Sequence, residues 1–446
     1  MAKGPKLLDF QDAVLARLTK IAPHSDEGGT WEVSRSNKEV LSSIRYVLTT
    51  GITPFDDIVG GMPFGRIVEV FGEESSGKTA LALLTAARAD TRHVCEVVRD
   101  GDGNITFRPL DPNEYEIVAF YVDNERSLDK DEKIIFEGKE LDVGIGAADT
   151  IDYVFKMVEA VIDVCEERAQ VSSKLVFGVI VVDTIASTTT RRELDAKWGA
   201  EDFPRLPAQL SKGFSKLVRR VNSNNVCMVC TNQVRMNYEA AQGRRPGTTP
   251  RSFLYRSLGG MALKFYASHR VFMRAVPTKY RLLPDAQFAA GMVVEFSTVK
   301  NRLRMPQRDA RMVLLYDRKR GGFNELFSVL ETLLYLGFIE AESKERGANF
   351  SLKFHSNGIV PTTFGGVRTE TTLEEDDQKP LPKRGGSKKD PSFRFRAEWP
   401  AFYHEHKADV DLLWKAAIDY VFSTPGLDGI SEDDSVGLSK LEELES

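Results

Sequence analysis

The chain has little cysteine, few histidines and no long apolar run. Four cysteines in 446 residues (Cys95, Cys165, Cys227 and Cys230) are too few for a disulfide scaffold. Two of them lie in Val226-Cys227-Met228-Val229-Cys230, a run that reads as a buried strand. Side chains alternate along a strand, so these two thiols face opposite sides, which argues against a zinc or redox pair. The six histidines are scattered, and His404-Glu405-His406 reads as a surface helix turn rather than a metal site. No apolar stretch reaches the ~18 residues that a membrane helix needs. The start, Met-Ala-Lys-Gly-Pro-Lys, lacks an apolar signal core, which argues against secretion and for the cytoplasm. The net charge of −5 is mild and hides strong local asymmetry. With 42% hydrophobic and 28% charged residues, the composition is that of an ordinary globular protein, and the length fits two or three domains.

What is present points first to a nucleotide. Gly72-Glu73-Glu74-Ser75-Ser76-Gly77-Lys78-Thr79 fits the G-x-x-x-x-G-K-[ST] phosphate loop. Arg66–Phe71 before it reads as a buried strand, and Lys78–Ala89 after it as an Ala/Leu-rich helix. In that setting the loop N–H groups and the positive helix end converge on one anion. Gly72 and Gly77 allow the tight backbone path. Lys78 can reach the outer phosphates, and the Thr79 hydroxyl can ligate Mg2+. A chance Gly/Ser turn is the alternative, but it does not account for both flanks.

Apolar strands then alternate with helices, as in an α/β fold with a mostly parallel sheet. Strands are expected at Glu116–Val122, Phe177–Asp183, Val226–Asn232 and Val293–Val299, and helices at Asp149–Ala169 and Pro207–Asn222. Residues 92–116 interrupt the alternation as a β-hairpin turning at Asp100–Asn104. Asp100, Asp102 and Asn104 echo a calcium loop, but its sixth position needs glycine and holds Ile105. Ahead of the core, residues 6–22 form an amphipathic helix with Phe10, Val14 and Leu18 on one face. That face docks either on a neighbouring subunit or on its own domain.

Two further strand tips carry acids, and a third carries a glutamine. Val179-Ile180-Val181-Val182-Asp183 ends in an aspartate at the usual ligand edge of an α/β sheet, able to hold Mg2+ or to cap the strand. Asp123-Asn124-Glu125 ends a second strand, and Glu125 is placed to orient water for phosphate hydrolysis. Thr231-Asn232-Gln233 ends a third, where Gln233 can sense a γ-phosphate by hydrogen bonding.

Together these motifs resemble the RecA recombinase family. The resemblance is carried by Gly60–Glu69 running into the phosphate loop, and by Asp123-Asn124-Glu125-Arg126-Ser127-Leu128-Asp129. It is carried further by Thr231–Met236, by Gly259–Ser268 with its Leu-Lys-Phe-Tyr-Ala-Ser run, and by Val299-Lys300-Asn301-Arg302. It covers roughly 45–340. It implies ATP and Mg2+ as cofactors, Glu125 as catalytic glutamate, Gln233 as the switch between ATP and DNA, and Asp129 near the adenine. Lys300 and Arg302 would reach the ATP of the next subunit; two apart on a strand, they would share a face. Lys264 and Phe265 would lie at that interface, with the Phe10, Val14 and Leu18 helix. Two departures stand out: Glu73 replaces the proline usual in the loop, and Glu132 stands where an aromatic usually covers the adenine.

The family places DNA-binding loops at 189–206 and 234–258. The second carries Arg235, Arg244, Arg245, Arg251 and Arg256 against one acid, Glu239, with Tyr238, Phe253 and Tyr255 interleaved. Arginines neutralise phosphates and aromatics stack on bases, a combination suited to single strands; a solvated loop is the alternative. The first carries Arg191, Arg192, Trp198, Phe203 and Arg205 among acids. The organisation expected is an oligomerisation helix and linker at 1–44, a RecA-like ATPase core at 45–322, and a small C-terminal α/β domain at 323–360. A flexible linker at 361–392, a helical segment at 393–424 and an acidic tail at 425–446 follow. From Gly426 the tail holds seven acids and one lysine, and is expected to compete with DNA for the basic loops.

The function expected is DNA-dependent ATP hydrolysis in a helical filament that pairs single-stranded with homologous double-stranded DNA in recombination and repair. Single-strand-binding and loading proteins are its expected partners, and no membrane. A hexameric helicase or branch-migration motor and a regulatory filament without strand exchange remain as alternatives.

Overall fold

The computed structural model describes residues 44–100, 104–128, 135–136, 139–140, 143–195, 206–236, 254–283, 286–316, 322–344, 347–353, 360–361, 378–379 and 391–422. The chain divides into two units, 1–45 and 46–446, and every element named below belongs to the second.

Its centre is a ten-stranded sheet. From one edge the order is Gly322–Asn324, Asp309–Leu315, Gly291–Lys300, His269–Ala275, Arg66–Gly72, Val226–Met236, Leu175–Asp183, Tyr115–Asp123 and Gly144–Gly146. Tyr255–Ser257 pairs on the far end of Val226–Met236. The sheet is parallel from His269–Ala275 to Gly144–Gly146 and antiparallel on the other side. The expected parallel arrangement therefore holds at the centre, while the strand foreseen at Val293–Val299 runs antiparallel to both neighbours. His269–Ala275 and Asp309–Leu315 were not foreseen. Charges at Arg270, Arg274 and Arg311 break up their apolar runs, and the structure pairs those charges with Glu69 and Glu295.

Alternation along the strands builds a core on each face. Val68, Val70, Val179, Val181, Cys227 and Val229 pack with Leu81, Ala82 and Leu84 of the Lys78–Asp90 helix. Ile67, Ile180, Val182, Met228 and Cys230 pack with Val154, Val158 and Ile162 of Ile151–Val171, and with Leu210, Phe214 and Leu217 of Leu206–Ser223. Each such side chain contributes about 1.5–3 kcal/mol on full burial. Cys227 and Cys230 do fall in opposite cores, and all four cysteines are free and buried. Burial raises the Cys165 thiol to about 11. Gly213 sits mid-helix because the Phe155 ring fills the space of a side chain: a Cβ there would meet Phe155 Cε2 at 2.0 Å.

The hairpin strands Val94–Arg99 and Ile105–Pro109 pair as expected. Asp100 accepts both the Asn104 N–H (2.8 Å) and its side-chain amide (2.9 Å), so this carboxylate closes the turn. The hairpin also extends a small sheet through Tyr46–Leu48 and Met62–Pro63. Toward the C-terminus, Glu325–Tyr335, Ile339–Lys344 and Gly347–Leu352 share one core with residues beyond the 361–392 stretch. Phe393 stacks on Phe350 (4.9 Å), and Trp399 and Phe402 pack on Phe393. Trp414, on the Lys407–Phe422 helix, donates to Asp57 of the Thr53–Val59 helix at 2.8 Å. The segments 323–360 and 393–422, separate in the sequence, are thus joined by aromatic contacts. Among the described residues, no helix is long and apolar enough to cross a membrane.

Candidate nucleotide and nucleic-acid site

The phosphate loop leaves Arg66–Gly72 at the centre of the parallel strands and enters the Lys78–Asp90 helix. Gly72 is pressed against the next strand, where a Cβ would come within 2.0 Å of the Met273 carbonyl oxygen. Gly77, at φ 86°, is the helix N-cap; no side chain caps the first turn and no acid lies in it. Those N–H groups are the donors an anion takes. Lys78 Nζ donates to the carbonyls of Gly72 (3.1 Å) and Glu73 (2.5 Å). Burial lowers the Lys78 ammonium, while the Asp183, Glu125, Glu74 and Glu73 carboxylates pull it back up. Four acids near one lysine leave this corner with an excess of negative charge. Thr79, in the first turn, is half-buried beside the loop.

Asp183 ends its strand fully buried, level with Asp123 on the neighbouring strand. The Tyr121 hydroxyl donates to one Asp183 oxygen at 2.7 Å, and the Thr231 hydroxyl to the other. Burial and Asp183 together raise the Tyr121 phenol, which stays a donor. Asp123 caps the turn that follows it, accepting from Ser127 N (3.1 Å) and Leu128 N (2.9 Å). That turn presents Glu125, whose carboxylate accepts the Gln233 side-chain amide at 3.1 Å. Gln233 lies opposite Gly72 in the strand register. Glu125, Gln233, Lys78 and Asp183 therefore gather at one end of the sheet. Tyr121, Thr231 and Asp123 were missed by sequence reading; the signal available was a polar residue inside or at the tip of an otherwise apolar strand.

Beyond Gln233 the strand continues to Met236 and pairs with Tyr255–Ser257, so a two-stranded ladder forms the foot of the 234–258 loop. Leu258 N closes it on Gln233 O at 3.1 Å. Arg235 and Arg256 face each other across one rung. Like charges directly opposite each other are destabilising. Tyr255 does not project outward. Its ring stacks on Phe272 (5.3 Å, 25°) and its hydroxyl donates to Glu73. Beneath the ladder, Glu69 and Arg270 form a buried ion pair at 2.5 Å. Asn232 donates to Glu69 (3.0 Å) and to Leu258 O (2.9 Å). Such a pair resists removal of either partner.

The other expected cations lie elsewhere. Lys300 is level with Arg270, which is level with Glu69, three residues before Gly72. At ~3.3 Å per residue that is about 10 Å down the strand from the phosphate loop. Lys300 Nζ donates to the Lys264 and Phe265 carbonyls, each at 3.1 Å. Arg302 is not on the strand with Lys300, as the spacing had implied. The strand stops at Lys300 because the Asn301 carboxamide accepts Leu303 N and Arg304 N, both at 2.8 Å, and turns the chain. Lys300 is lowered by burial and then by Arg302 and Arg270; Lys264 by burial and then by Arg270. Phe265, 68% exposed, and Met261, 54% exposed, stand on the same short segment.

Phe10, Val14, Leu18, Asp129, Glu132, Trp198, Phe203, Arg205, Tyr238, Arg244, Arg245, Arg251 and Phe253 lie outside the described residues, as does the tail from 423 on. Among the described residues, no group of three or more His, Cys, Asp or Glu side chains could hold a metal by itself.

Comparison with known proteins agrees with this geometry. The sequence profile of the RecA N-terminal domain matches residues 29–107 and 113–320. The chain is 28% identical over 349 residues to Protein RecA of Wolbachia sp. subsp. Drosophila simulans (strain wRi), covering 76% of this chain and 82% of that one. It is 28% identical over 348 residues to Protein RecA of Anaplasma marginale (strain Florida), covering 76% and 80%. It is 29% identical over 350 residues to Protein RecA of Methylobacterium radiotolerans, covering 77% and 80%. With the phosphate loop, the Glu125–Gln233 contact and the mixed sheet in place, the chain belongs to the RecA family.

Proposed function

We propose that this chain is an ATP-dependent DNA recombinase, which assembles head to tail on single-stranded DNA and pairs it with a homologous duplex. The observation that carries the reading is the Gln233–Glu125 hydrogen bond. Gln233 starts the ladder that supports the basic loop, and Glu125 stands at the phosphate end of the sheet. A phosphate that draws Gln233 away from Glu125 moves the foot of the loop and frees the carboxylate to orient water.

Bound Mg2+ would neutralise charge on the phosphates. Lys78 and the helix N–H groups would bind and orient the phosphates, and the Thr79 hydroxyl would help hold the metal. Asp183, whose two oxygens already accept hydroxyls, would assist it through water. Lys300 and Arg302, remote from their own phosphate loop, serve the nucleotide of the next copy in the manner of arginine fingers. Arg235 and Arg256 take DNA phosphates between them, together with the arginines at 244, 245 and 251.

A joint-molecule assay tests the reading. The chain, ATP, Mg2+ and a single strand are given a homologous or a heterologous duplex. Joint molecules with the homologous duplex alone are expected. Closed rings under the electron microscope and ATP-driven unwinding, without pairing, would point instead to a ring-shaped motor. DNA-bound filaments that form no joint molecules would mark a regulatory filament.

A further inference from the structure

Glu73 makes two contacts of different kinds. Its backbone carbonyl accepts Lys78 Nζ at 2.5 Å and the Ser76 hydroxyl at 2.8 Å. Its carboxylate accepts the Tyr255 hydroxyl. One residue thus touches both the ammonium that reads phosphate and the foot of the basic loop.

Tyr255 is firmly seated, and Glu73 reaches it from an exposed position. Tyr255 pairs with Met236 in the ladder, stacks on Phe272, and through Phe272 (5.5 Å from Phe71) reaches the phosphate-loop strand. Gly72, next to Glu73, has no room for a side chain against Met273. A change at Lys78 is therefore felt at Glu73 and passed to Tyr255. A hydroxyl donating to a carboxylate is one of the stronger hydrogen bonds. A proline at position 73, as the family resemblance would have it, offers no such acceptor.

We infer that the Glu73–Tyr255 hydrogen bond is a second coupling between nucleotide and DNA, beside the Gln233–Glu125 contact. Phosphates that engage Lys78 release the Glu73 carbonyl, residue 73 re-seats, and the carboxylate carries Tyr255 and its ladder with it. Tyr255 is here a positioning residue. The inference rests on the ATP- and DNA-binding reading above.

Two variants test it in a thermodynamic cycle. Tyr255→Phe keeps the ring and its stacking; Glu73→Ala removes the acceptor. The Kd for a non-hydrolysable ATP analogue is measured with and without oligo-dT, and the ratio of the two is the coupling. Each variant should cut that ratio about five- to tenfold, and the double variant should cut it no further. Damage to the fold alone weakens both Kd values together and leaves the ratio unchanged. A wild-type ratio in either single variant, or a double variant whose losses multiply, overturns the inference while leaving the proposed function standing. A ratio of one in the wild-type chain overturns both.

Discussion

The two ends of the central strands carry opposite charge. At the phosphate-loop end, Lys78 is set among Glu73, Glu74, Glu125 and Asp183. Toward the other end, Arg302 neighbours both Arg66 and Lys300, and each of Arg66, Lys264 and Lys300 is lowered by burial and by a cationic neighbour. The first end suits an anion that comes with a cation, and the second concentrates positive charge. In the proposed assembly a head-to-tail contact would bring the two ends together, and repeated without closure it would yield a helical filament.

Breaking the acid-rich end should have the largest effect. Lys78→Ala removes the lysine that reaches the loop carbonyls, and ATP hydrolysis should fall by about 10³-fold in a steady-state assay. Glu125→Gln keeps the partner of Gln233 but not the base. Turnover should fall on the order of 10²-fold, while ATP-dependent DNA binding, read by fluorescence anisotropy, persists. Wild-type turnover in that variant refutes the role given to Glu125.

The ladder beyond the acid-rich end should give a smaller, graded effect. Arg235→Ala and Arg256→Ala should each lower the slope of log affinity for single-stranded DNA against log salt by about 0.7. An unchanged slope in both variants removes DNA phosphate from between them.

The base-rich end can be sharpened through His269, whose imidazole burial, Arg66 and Arg302 hold down to about 3. The unfolded chain binds that proton near the ordinary 6.5 and the folded chain refuses it. The stability from this group is complete above about 6.5 and is lost as pH falls toward 3. His269→Leu should flatten the dependence of the urea midpoint on pH in that window. A slope equal to that of the wild type removes His269 from the charge balance of this end.

Much of this site was legible in the sequence because local geometry fixes it. The phosphate loop needs only its own spacing and flanks, and Asp183 and Gln233 follow apolar runs that are plain. The antiparallel half of the sheet was not legible, because Arg270 and Arg274 look like solvent-facing charges until Glu69 and Glu295 are seen beside them. The same holds for Tyr255. In a basic loop it reads as a base-stacking ring, and only the register with Met236 puts it over Phe272 and Glu73. The shared aromatic core of the C-terminal segments was hidden by the long stretch between Phe350 and Phe393.

Mixing two defective chains tests the composite site most directly. Glu125→Gln spoils the acid-rich end and leaves Lys300 and Arg302 intact; Lys300→Ala with Arg302→Ala spoils the other end and leaves Glu125 intact. Each alone should hydrolyse ATP poorly on single-stranded DNA. Mixed in equal amounts, they should regain about a quarter of the wild-type rate, because about one interface in four then joins two intact ends. A mixture no more active than its components would contradict the account and return the cations to the nucleotide of their own chain.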